Sequence, residues 1–278
     1  MKQVETISEL KNELAGKRGG KIGFVPTMGA LHAGHISLVD RARRENDTVV
    51  VSVFVNPTQF NDPEDLRRYP RTLEADAAML KEAGVDYVFA PSVEEIYPEP
   101  DTRVFDFGLL DKVMEGATRP GHFNGVAQVV SRLFDIIGPD RAYFGQKDFQ
   151  QLAIIRELVR QTGDDIEIVE CPIVRETDGL AMSSRNTLLT PGHRVAAANI
   201  YKTLGKAREL KGKMSVPELE KWVTDEINKN PLLKVIYFQV VDRDTLQKSA
   251  NWGDGKLKQG CVAVTAGNVR LIDNVYLG

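Results

Sequence analysis

The fold is indicated first by one stretch of the sequence, Thr27-Met28-Gly29-Ala30-Leu31-His32-Ala33-Gly34-His35. The apolar run Lys21 to Pro26 precedes it and predicts a buried parallel strand, and Ile36, Val39 and Ala42 follow it at helical spacing. A glycine-bearing turn between a strand and a helix lets the backbone approach a ligand, and the helix N-terminus attracts an anion. The stretch therefore predicts a phosphate site directly after the first buried strand.

Two histidines, His32 and His35, stand in this turn in the pattern H-x-G-H. The pattern is neither a P-loop nor the dinucleotide fingerprint G-x-G-x-x-G. Two imidazoles are more than a phosphate cradle needs, which favours chemistry at the phosphorus. The alternative is that His32 caps the turn and His35 is an ordinary residue of the first helical turn.

Composition is typical of a globular protein. The 278 residues are 42% apolar and 27% charged, with a net charge of −3, which argues against a nucleic-acid surface. No apolar run is long enough to span a membrane and no signal peptide is evident, so we expect a cytoplasmic protein without a membrane partner. Cys171 and Cys261 have no metal-binding or redox spacing and are expected to be reduced structural thiols.

The chain up to about residue 174 alternates between strand-like and helix-like segments. This alternation predicts an α/β fold, a parallel sheet with helices on both faces. Apolar runs predict strands at 48–55, 85–90, 141–144 and 166–174. Helical spacing predicts helices over 1–15, around 73–80, around 126–137 and around 152–159, and turn-forming residues dominate 91–121.

Polar residues follow the second buried strand as well as the first. Ligands of parallel sheets bind at the carboxyl ends of the strands. Asn56 and Gln59 are therefore expected to face the same pocket as His32 and His35, although they lie in separate segments. The alternative for Gln59 is exposure on a mobile loop.

Three later segments add charged and polar groups. Arg119 and His122 bring polar function into a turn-rich region. Lys147 stands in a second strand–glycine–helix junction, Gly145-Gln146-Lys147-Asp148, where it either contacts a second phosphate or extends into water. Ser183-Ser184-Arg185-Asn186 offers hydroxyl, guanidinium and amide groups that suit a polyphosphate, although without context it reads as a solvated loop.

The pattern changes after this loop. Thr190-Pro191 starts one helix, and Ser215 with Glu218 forms a capping box for a second. Strands are predicted at 235–241, 261–265 and 269–276, the last two joined by a tight turn at 266–268. Helices followed by a small antiparallel sheet predict a separate, smaller α+β domain. We place the two domains at residues 1–175 and 176–278.

Five motifs in the same order resemble those of the pantoate–β-alanine ligase (pantothenate synthetase) family, within the H-x-G-H nucleotidylyltransferase superfamily. They are Pro26–Gly29 with His32 and His35, Val55–Phe60, Arg119–Phe123, Tyr143–Asp148 and Leu180–Asn186, and a sixth match is Leu271–Asn274. The resemblance implies a Rossmann-like ATP- and pantoate-binding domain and a smaller C-terminal lid domain carrying the loop Met182–Asn186. It also implies a homodimer.

The resemblance implies a reaction in which ATP, D-pantoate and β-alanine give pantothenate, AMP and diphosphate through pantoyl adenylate. No covalent enzyme intermediate is needed. The catalytic candidates, as cations or hydrogen-bond donors, are His32, His35, Lys147 and Arg185, with His35 the family's proton donor. Gln59 and Gln151, with Asn56, are assigned to pantoate and β-alanine. The residues that the family assigns to ATP are Met28, Gly29, Ala30, Leu31, His32, Ala33, Gly34, His35, Gly145, Gln146, Lys147, Asp148, Val174, Met182, Ser183, Ser184 and Arg185.

Mg²⁺ is expected to accompany ATP as substrate, bound mainly through phosphates and water, and no tightly bound cofactor is expected. Asp76 is a candidate contact for that ion, although its place in the predicted helix favours an exposed side chain. Two alternatives remain. One is another adenylyltransferase of the H-x-G-H superfamily, which would not depend on an amine. The other is a non-catalytic nucleotide-binding module, which has no need of four cationic or donor side chains.

Overall fold

The computed structural model describes all residues, Met1–Gly278. The chain divides into two compact units. The first unit comprises Met1–Phe107, Arg119–Gln146 and Gln151–Pro172, and the second comprises Gly108–Thr118, Lys147–Gln150 and Ile173–Gly278. Two short segments that precede residue 173, Gly108–Thr118 and Lys147–Gln150, therefore belong to the second unit.

The first unit is built on a six-stranded sheet in which every pairing is parallel. The strands are β1 (Lys2–Val4), β2 (Ile22–Thr27), β3 (Thr48–Val53), β4 (Tyr87–Phe89), β5 (Arg141–Gly145) and β6 (Glu167–Cys171). Their order across the sheet is β1-β4-β3-β2-β5-β6. The predicted parallel sheet is confirmed.

β2 is buried on both sides, which shows that helices cover both faces of this sheet. Phe24 of β2 meets the ring of Phe134 edge-on, with the ring centroids 6.2 Å apart. The next residue, Val25, packs in a cluster with Leu38 and Val39. The helices in the first part of the chain are α1 (Ile7–Ala15), α2 (Ala33–Glu45), α3 (Pro63–Arg68), α4 (Leu73–Glu82), α5 (Val93–Ile96), α6 (Met114–Thr118), α7 (His122–Ile137) and α8 (Phe149–Thr162).

Two of the predicted elements differ from the structure. The predicted helix over residues 1–15 is wrong at its start, because Lys2–Val4 pairs as a strand with Tyr87–Phe89 and the helix begins only after Thr6. The Thr6 side chain caps that helix by accepting a hydrogen bond from the Glu9 amide. The predicted strand 166–174 ends at Cys171, because Pro172 follows and cannot donate to a strand ladder.

The second unit contains a three-stranded antiparallel sheet, β7 (Leu233–Asp242), β8 (Lys258–Ala266) and β9 (Val269–Tyr276), in that spatial order. Its long helices are α9 (Pro191–Leu210), capped by Thr190, and α10 (Val216–Asn228), which starts with the predicted Ser215–Glu218 capping box. Apolar side chains of both helices and all three strands form one core. The predicted helices, strands and antiparallel sheet are confirmed.

None of the helices combines the length and apolar character that crossing a bilayer requires. Cys171 and Cys261 are both free and buried. Burial raises the pKa of each thiol, which disfavours the thiolate and therefore nucleophilic chemistry at either residue.

Candidate active site

The order of strands reverses beside β2. The chain runs from β2 to β3 and then to β4 on one side, and it returns to pair β5 with the other side of β2. Ligands of open parallel sheets bind at the carboxyl ends of the strands where this reversal occurs. In the first unit, that point lies between Met28–His35, here called the histidine turn, and Gly145, the last residue of β5.

The histidine turn is held by a carboxylate from α4. Gly29 and Ala30 have positive φ values of 77° and 50°, so successive amides turn in one direction. The amides of Ala30 and Leu31 donate to the two carboxylate oxygens of Asp76, at 2.9 and 2.8 Å, and the Thr72 hydroxyl donates at 3.2 Å. Asp76 is only 1% exposed, so the prediction of an exposed side chain was wrong. The turn needs a buried acceptor, and Asp76 supplies it.

The two histidines cap α2 reciprocally. His32 Nδ1 accepts from the Gly34 amide at 3.1 Å, and His35 Nδ1 accepts from the His32 amide at 3.3 Å. The rings lie 4.1 Å apart between centroids. Because each Nδ1 is an acceptor, the ring hydrogen of each neutral imidazole resides on Nε2. The capping alternative for His32 is therefore confirmed, and capping also orients the Nε2–H donor of each ring.

Gln59 lies beside the histidine turn through a contact with Met28. Its Nε2 is 2.8 Å from Met28 Sδ, and its Oε1 accepts from Asn56 Nδ2 at 3.2 Å. Asn56 is 1% exposed, and its side chain also bonds Gly125 O, Thr58 and the Tyr97 hydroxyl. Asn56 therefore fixes the orientation of the Gln59 amide from within the protein.

The backbone of Gln59 is fixed by the segment that contains Arg119 and His122. His122 Nδ1 is 2.7 Å from the Gln59 carbonyl oxygen, and Arg119 Nη1 is 3.1 Å from His122 Nε2. An arginine side chain can only donate hydrogen bonds, so His122 Nε2 accepts from Arg119. His122 Nδ1–H then donates to the Gln59 carbonyl oxygen. Gly125 packs α7 against Pro57–Gln59, here called the glutamine turn, since a Cβ there would lie 2.3 Å from Thr58 O.

In the second unit, Lys147 follows β5 in the short turn Gln146–Asp148, directly before α8. Its side chain is half-buried, whereas Asp148 is exposed. The Lys147 carbonyl accepts from Asn274 Nδ2 of β9 at 3.0 Å. The main chain at this lysine is therefore anchored to the antiparallel sheet.

The loop that contains Met182–Arg185 is preceded by a small hairpin in the second unit. Met182 donates its amide to Val174 O at 3.0 Å, and Arg175 pairs with Ala181 in antiparallel fashion. The Ser183 hydroxyl then caps the turn Ser184–Leu188 by accepting from the Arg185 amide at 3.3 Å. The hairpin therefore places Val174 and Met182 side by side at its open end.

Each unit thus contains part of the predicted residue set. The first unit carries Met28–His35, Asn56, Gln59, Gly145, Gln146 and Gln151, and the second carries Lys147, Asp148, Val174 and Met182–Arg185. Sequence reasoning assigned no supporting role to Tyr97, Gly125 or Asp273, although Asp273 lies in the matched segment Leu271–Asn274. Of these, Gly125 had a visible signal, because a glycine inside a strongly apolar helix pattern indicates close packing.

Comparison with known proteins decides the family. A family model described as "Pantoate-beta-alanine ligase" matches residues 2–276. The chain belongs to the pantoate–β-alanine ligase family. A pantothenate synthetase of Phocaeicola vulgatus is 60% identical over 278 residues, which is 99% of each chain. One of Bacteroides thetaiotaomicron is 58% identical over 277 residues, or 99% of this chain and 98% of its own.

Solved structures of the family match the whole chain as well. The pantothenate synthetase of Thermus thermophilus has a TM-score of 0.94 at 50% identity, covering 100% of this chain and 99% of its own. The pantoate–β-alanine ligase of Francisella tularensis, crystallised with beta-gamma ATP and β-alanine, has a TM-score of 0.85 at 37% identity, covering 100% and 98%. The protein is accordingly a ligase that condenses pantoate with β-alanine in an ATP-dependent reaction.

Proposed function

We propose that the ligation proceeds in two steps through an enzyme-bound pantoyl adenylate. A pantoate carboxylate oxygen attacks the α-phosphorus of ATP, the bond from that phosphorus to the bridging oxygen breaks, and diphosphate leaves. The amine of β-alanine then attacks the acyl carbon and loses a proton, and AMP leaves. The products are pantothenate, AMP and diphosphate, and no covalent bond to the protein forms.

The observation that carries this proposal is the contact between Gln59 and Met28. The glutamine proposed to bind pantoate lies 2.8 Å from a residue of the histidine turn, which is proposed to bind ATP. A carboxylate-binding amide directly beside a phosphate-binding turn suits attack by a carboxylate on phosphorus. A neutral amide also binds the carboxylate without neutralising its charge. The proposed substrate residues are Gln59 and Gln151, with Asn56 as the residue that orients Gln59.

The histidines are proposed to donate to the phosphoryl oxygens. The capping box assigns the ring hydrogens of His32 and His35 to Nε2, and hydrogen-bond donors aimed at developing negative charge lower the barrier. Lys147 and Arg185 are proposed to add positive charge on the phosphates. The proposed ATP residues are Met28–His35, Gly145–Asp148, Val174 and Met182–Arg185.

Mg²⁺ is proposed to enter with ATP as part of the substrate. Asp76 is a poor ligand for it, because Ala30, Leu31 and Thr72 already donate to its carboxylate, which has about four lone-pair sites. We propose instead that Asp76 shapes the histidine turn. The homodimer and a lid formed by residues 176–278 rest on the family resemblance, and the cytoplasmic location rests on the sequence pattern alone. All three stay predictions.

The test is diphosphate release from MgATP with D-pantoate, measured with and without β-alanine. We expect one equivalent per enzyme in a rapid burst with pantoate alone, and sustained release only when β-alanine is added. AMP and pantothenate should then form in equal amounts. Absence of any burst with pantoate alone, together with sustained turnover when both acids are present, would contradict the adenylate intermediate.

A further inference from the structure

Two consecutive residues of β9, Asp273 and Asn274, hold the two segments of the second unit that carry its proposed ATP residues. Their side chains are 4% and 3% exposed. Asn274 contacts the turn containing Lys147, and Asp273 contacts the hairpin that runs from Val174 to Met182. Neither residue belongs to the proposed ATP-binding set.

Asn274 is fixed at both ends of its side-chain amide. Its Nδ2 donates to Lys147 O at 3.0 Å, and its Oδ1 accepts from Gln259 Nε2 at 2.7 Å. Gln259 lies in β8 and is completely buried. With Oδ1 engaged as an acceptor, the amide cannot rotate by half a turn without placing like groups together. The carbonyl of Lys147 therefore has one defined partner.

Asp273 forms a two-pronged ion pair with Arg175, with oxygen–nitrogen distances of 2.6 and 2.9 Å. Arg175 also donates to Gly179 O at 3.1 Å and stacks over the Tyr201 ring, 3.7 Å from its centroid. The guanidinium is thereby clamped from several sides. Because Arg175 follows Val174 and pairs with Ala181, this clamp fixes both strands of the hairpin immediately before Met182.

We propose that Asp273 and Asn274 are positioning residues for the ATP-dependent step: they set the spacing between Lys147 and the hairpin that leads into Met182–Arg185. Neighbouring residues of a strand are separated by a fixed rise of about 3.3 Å. Anchoring both segments to neighbouring positions of one hydrogen-bonded strand therefore defines their separation better than either loop does alone. This inference rests on the proposed ATP-binding role of Lys147 and Met182–Arg185.

The test combines Asn274→Ser with Lys147→Ala in a double-mutant cycle. Asn274→Ser removes the donor to Lys147 O, and we expect the KM for ATP to rise between about 10- and 100-fold, as for misplacement of a bound group. The KM for β-alanine should stay unchanged. If Asn274 acts through Lys147, the double variant should be no worse than Lys147→Ala alone, because effects exerted through one contact are not additive.

Asp242→Ser is the matched control. Asp242 is likewise a buried strand residue of the second unit, at 6% exposure, but it bonds the turn Asp244–Thr245 instead of a proposed ATP segment. It should lower Tm comparably and leave the KM for ATP within about twofold. A role that is merely structural would reduce the active fraction of both variants without changing this KM.

The outcomes separate the inference from the proposed function. Suppose that Lys147→Ala is impaired in its use of ATP. A normal KM for ATP in Asn274→Ser, or additive effects in the double variant, would then overturn the positioning role. Unimpaired ATP use by Lys147→Ala would instead overturn the assignment of Lys147, and the inference with it. Should Asn274→Ser not fold, Gln259→Met takes its place. This substitution removes the Gln259 Nε2 donor to Asn274 and also the buried Gln259 Oε1, which has no hydrogen-bond partner. The KM for ATP should rise, as for Asn274→Ser.

The hairpin side is tested with Arg175→Lys. Lysine keeps the positive charge beside Asp273 but cannot make the two-pronged pair or the planar stack on Tyr201. We expect the KM for ATP to rise by about 10-fold with the KM for β-alanine unchanged. An unchanged KM for ATP in a folded variant would show that the hairpin does not need this clamp.

Discussion

At the scale of single residues, His32 and His35 each use one ring nitrogen for structure and carry the ring hydrogen on the other. Both Nδ1 atoms accept backbone hydrogen bonds at the start of α2. This capping places the ring hydrogens on Nε2. A substitution at either histidine therefore changes helix capping and chemistry together, and the two effects must be measured separately.

His35→Ala should lower the single-turnover rate of adenylation by a larger factor than it weakens ATP binding. It should also lose about 0.5–1 kcal/mol of stability, because one bond of the capping box disappears. His35→Gln is the control, since its amide oxygen restores the cap but not the imidazole. Compared with His35→Ala, we expect His35→Gln to recover the Tm of the unmodified protein but not its adenylation rate. A change in ATP affinity alone would contradict the proposed role.

Gln59→Glu should reduce kcat/KM for pantoate by about 100-fold or more, because like charges placed together cost several kcal/mol. The new carboxylate would lie where the pantoate carboxylate is proposed to bind. Gln3→Glu is the control, since it adds the same charge at an exposed position of the first unit. Near-normal pantoate kinetics for Gln59→Glu would remove Gln59 from the pantoate site.

At the scale of elements, glycine lets α7 pack directly against the glutamine turn. A Cβ at Gly125 would lie 2.3 Å from Thr58 O and 2.9 Å from the Gln59 amide nitrogen, and both are backbone atoms. The turn is therefore supported by the helix body as well as by His122 near its start. α4 supports the histidine turn in the same way, through the carboxylate of Asp76.

Gly125→Ala should destabilise the protein by about 1–3 kcal/mol, as overpacking does, and raise the KM for pantoate by shifting Gln59. The substitution would otherwise favour the helix by about 1 kcal/mol. Gly205→Ala in α9 is the control, since nothing beyond the adjoining backbone of its own helix lies within 4 Å of its Cβ position, and it should stabilise. Thermal unfolding and pantoate kinetics measure both effects. A stabilised Gly125→Ala variant with normal KM would show that the packing is not tight.

At the scale of the whole molecule, ion pairs and hydrogen bonds lower the pKa of carboxyl groups spread along the chain. The Arg103 side chain lowers the pKa of Asp101, Arg194 lowers that of Asp178, and Arg160 lowers that of Glu157 to about 2. Further carboxyl groups with lowered pKa values are Glu13, Glu45, Glu64, Glu94, Asp140, Glu218, Asp242 and Asp254. Burial shifts the pKa of Asp273 in the opposite direction, upward.

Stability should therefore fall as the pH decreases below about 4. The unfolded carboxyl groups titrate near pH 3.9–4.3, and the native ones with lowered pKa values titrate below that. The unfolded chain therefore binds more protons in this range, and acid favours it. We expect Tm to change little between about pH 7 and 5 and to drop progressively from about pH 4 to 2.5. A Tm that increases as the pH is lowered from about 4 to 2.5 would contradict the lowered pKa values of these carboxyl groups.

The candidate site was recognisable from sequence because its residues stand in short motifs next to the elements that carry them. The β2–turn–α2 unit, the segment after β3 and the junction at Gly145 all follow from local patterns of apolar spacing and glycine. The burial of Asp76 did not follow, because its place in a predicted helix favoured an exposed side chain, whereas it is 1% exposed and accepts from backbone amides of the histidine turn. Asn56 was predicted to face the pocket, but the sequence did not show that it is 1% exposed and bonds the Gln59 side chain.

By itself, the sequence determined the parallel sheet, the antiparallel C-terminal sheet, the capped helices and the family, because each depends on spacing within a few residues. Only the tertiary structure decided what pairs across long separations. Lys2–Val4 became a strand by pairing with Tyr87–Phe89, Gln59 came to lie beside Met28, and Asn274 came to hold Lys147. The physical reason is that a hydrogen bond or edge pairing between distant segments leaves no periodicity in either segment, so it exists only once the chain has folded.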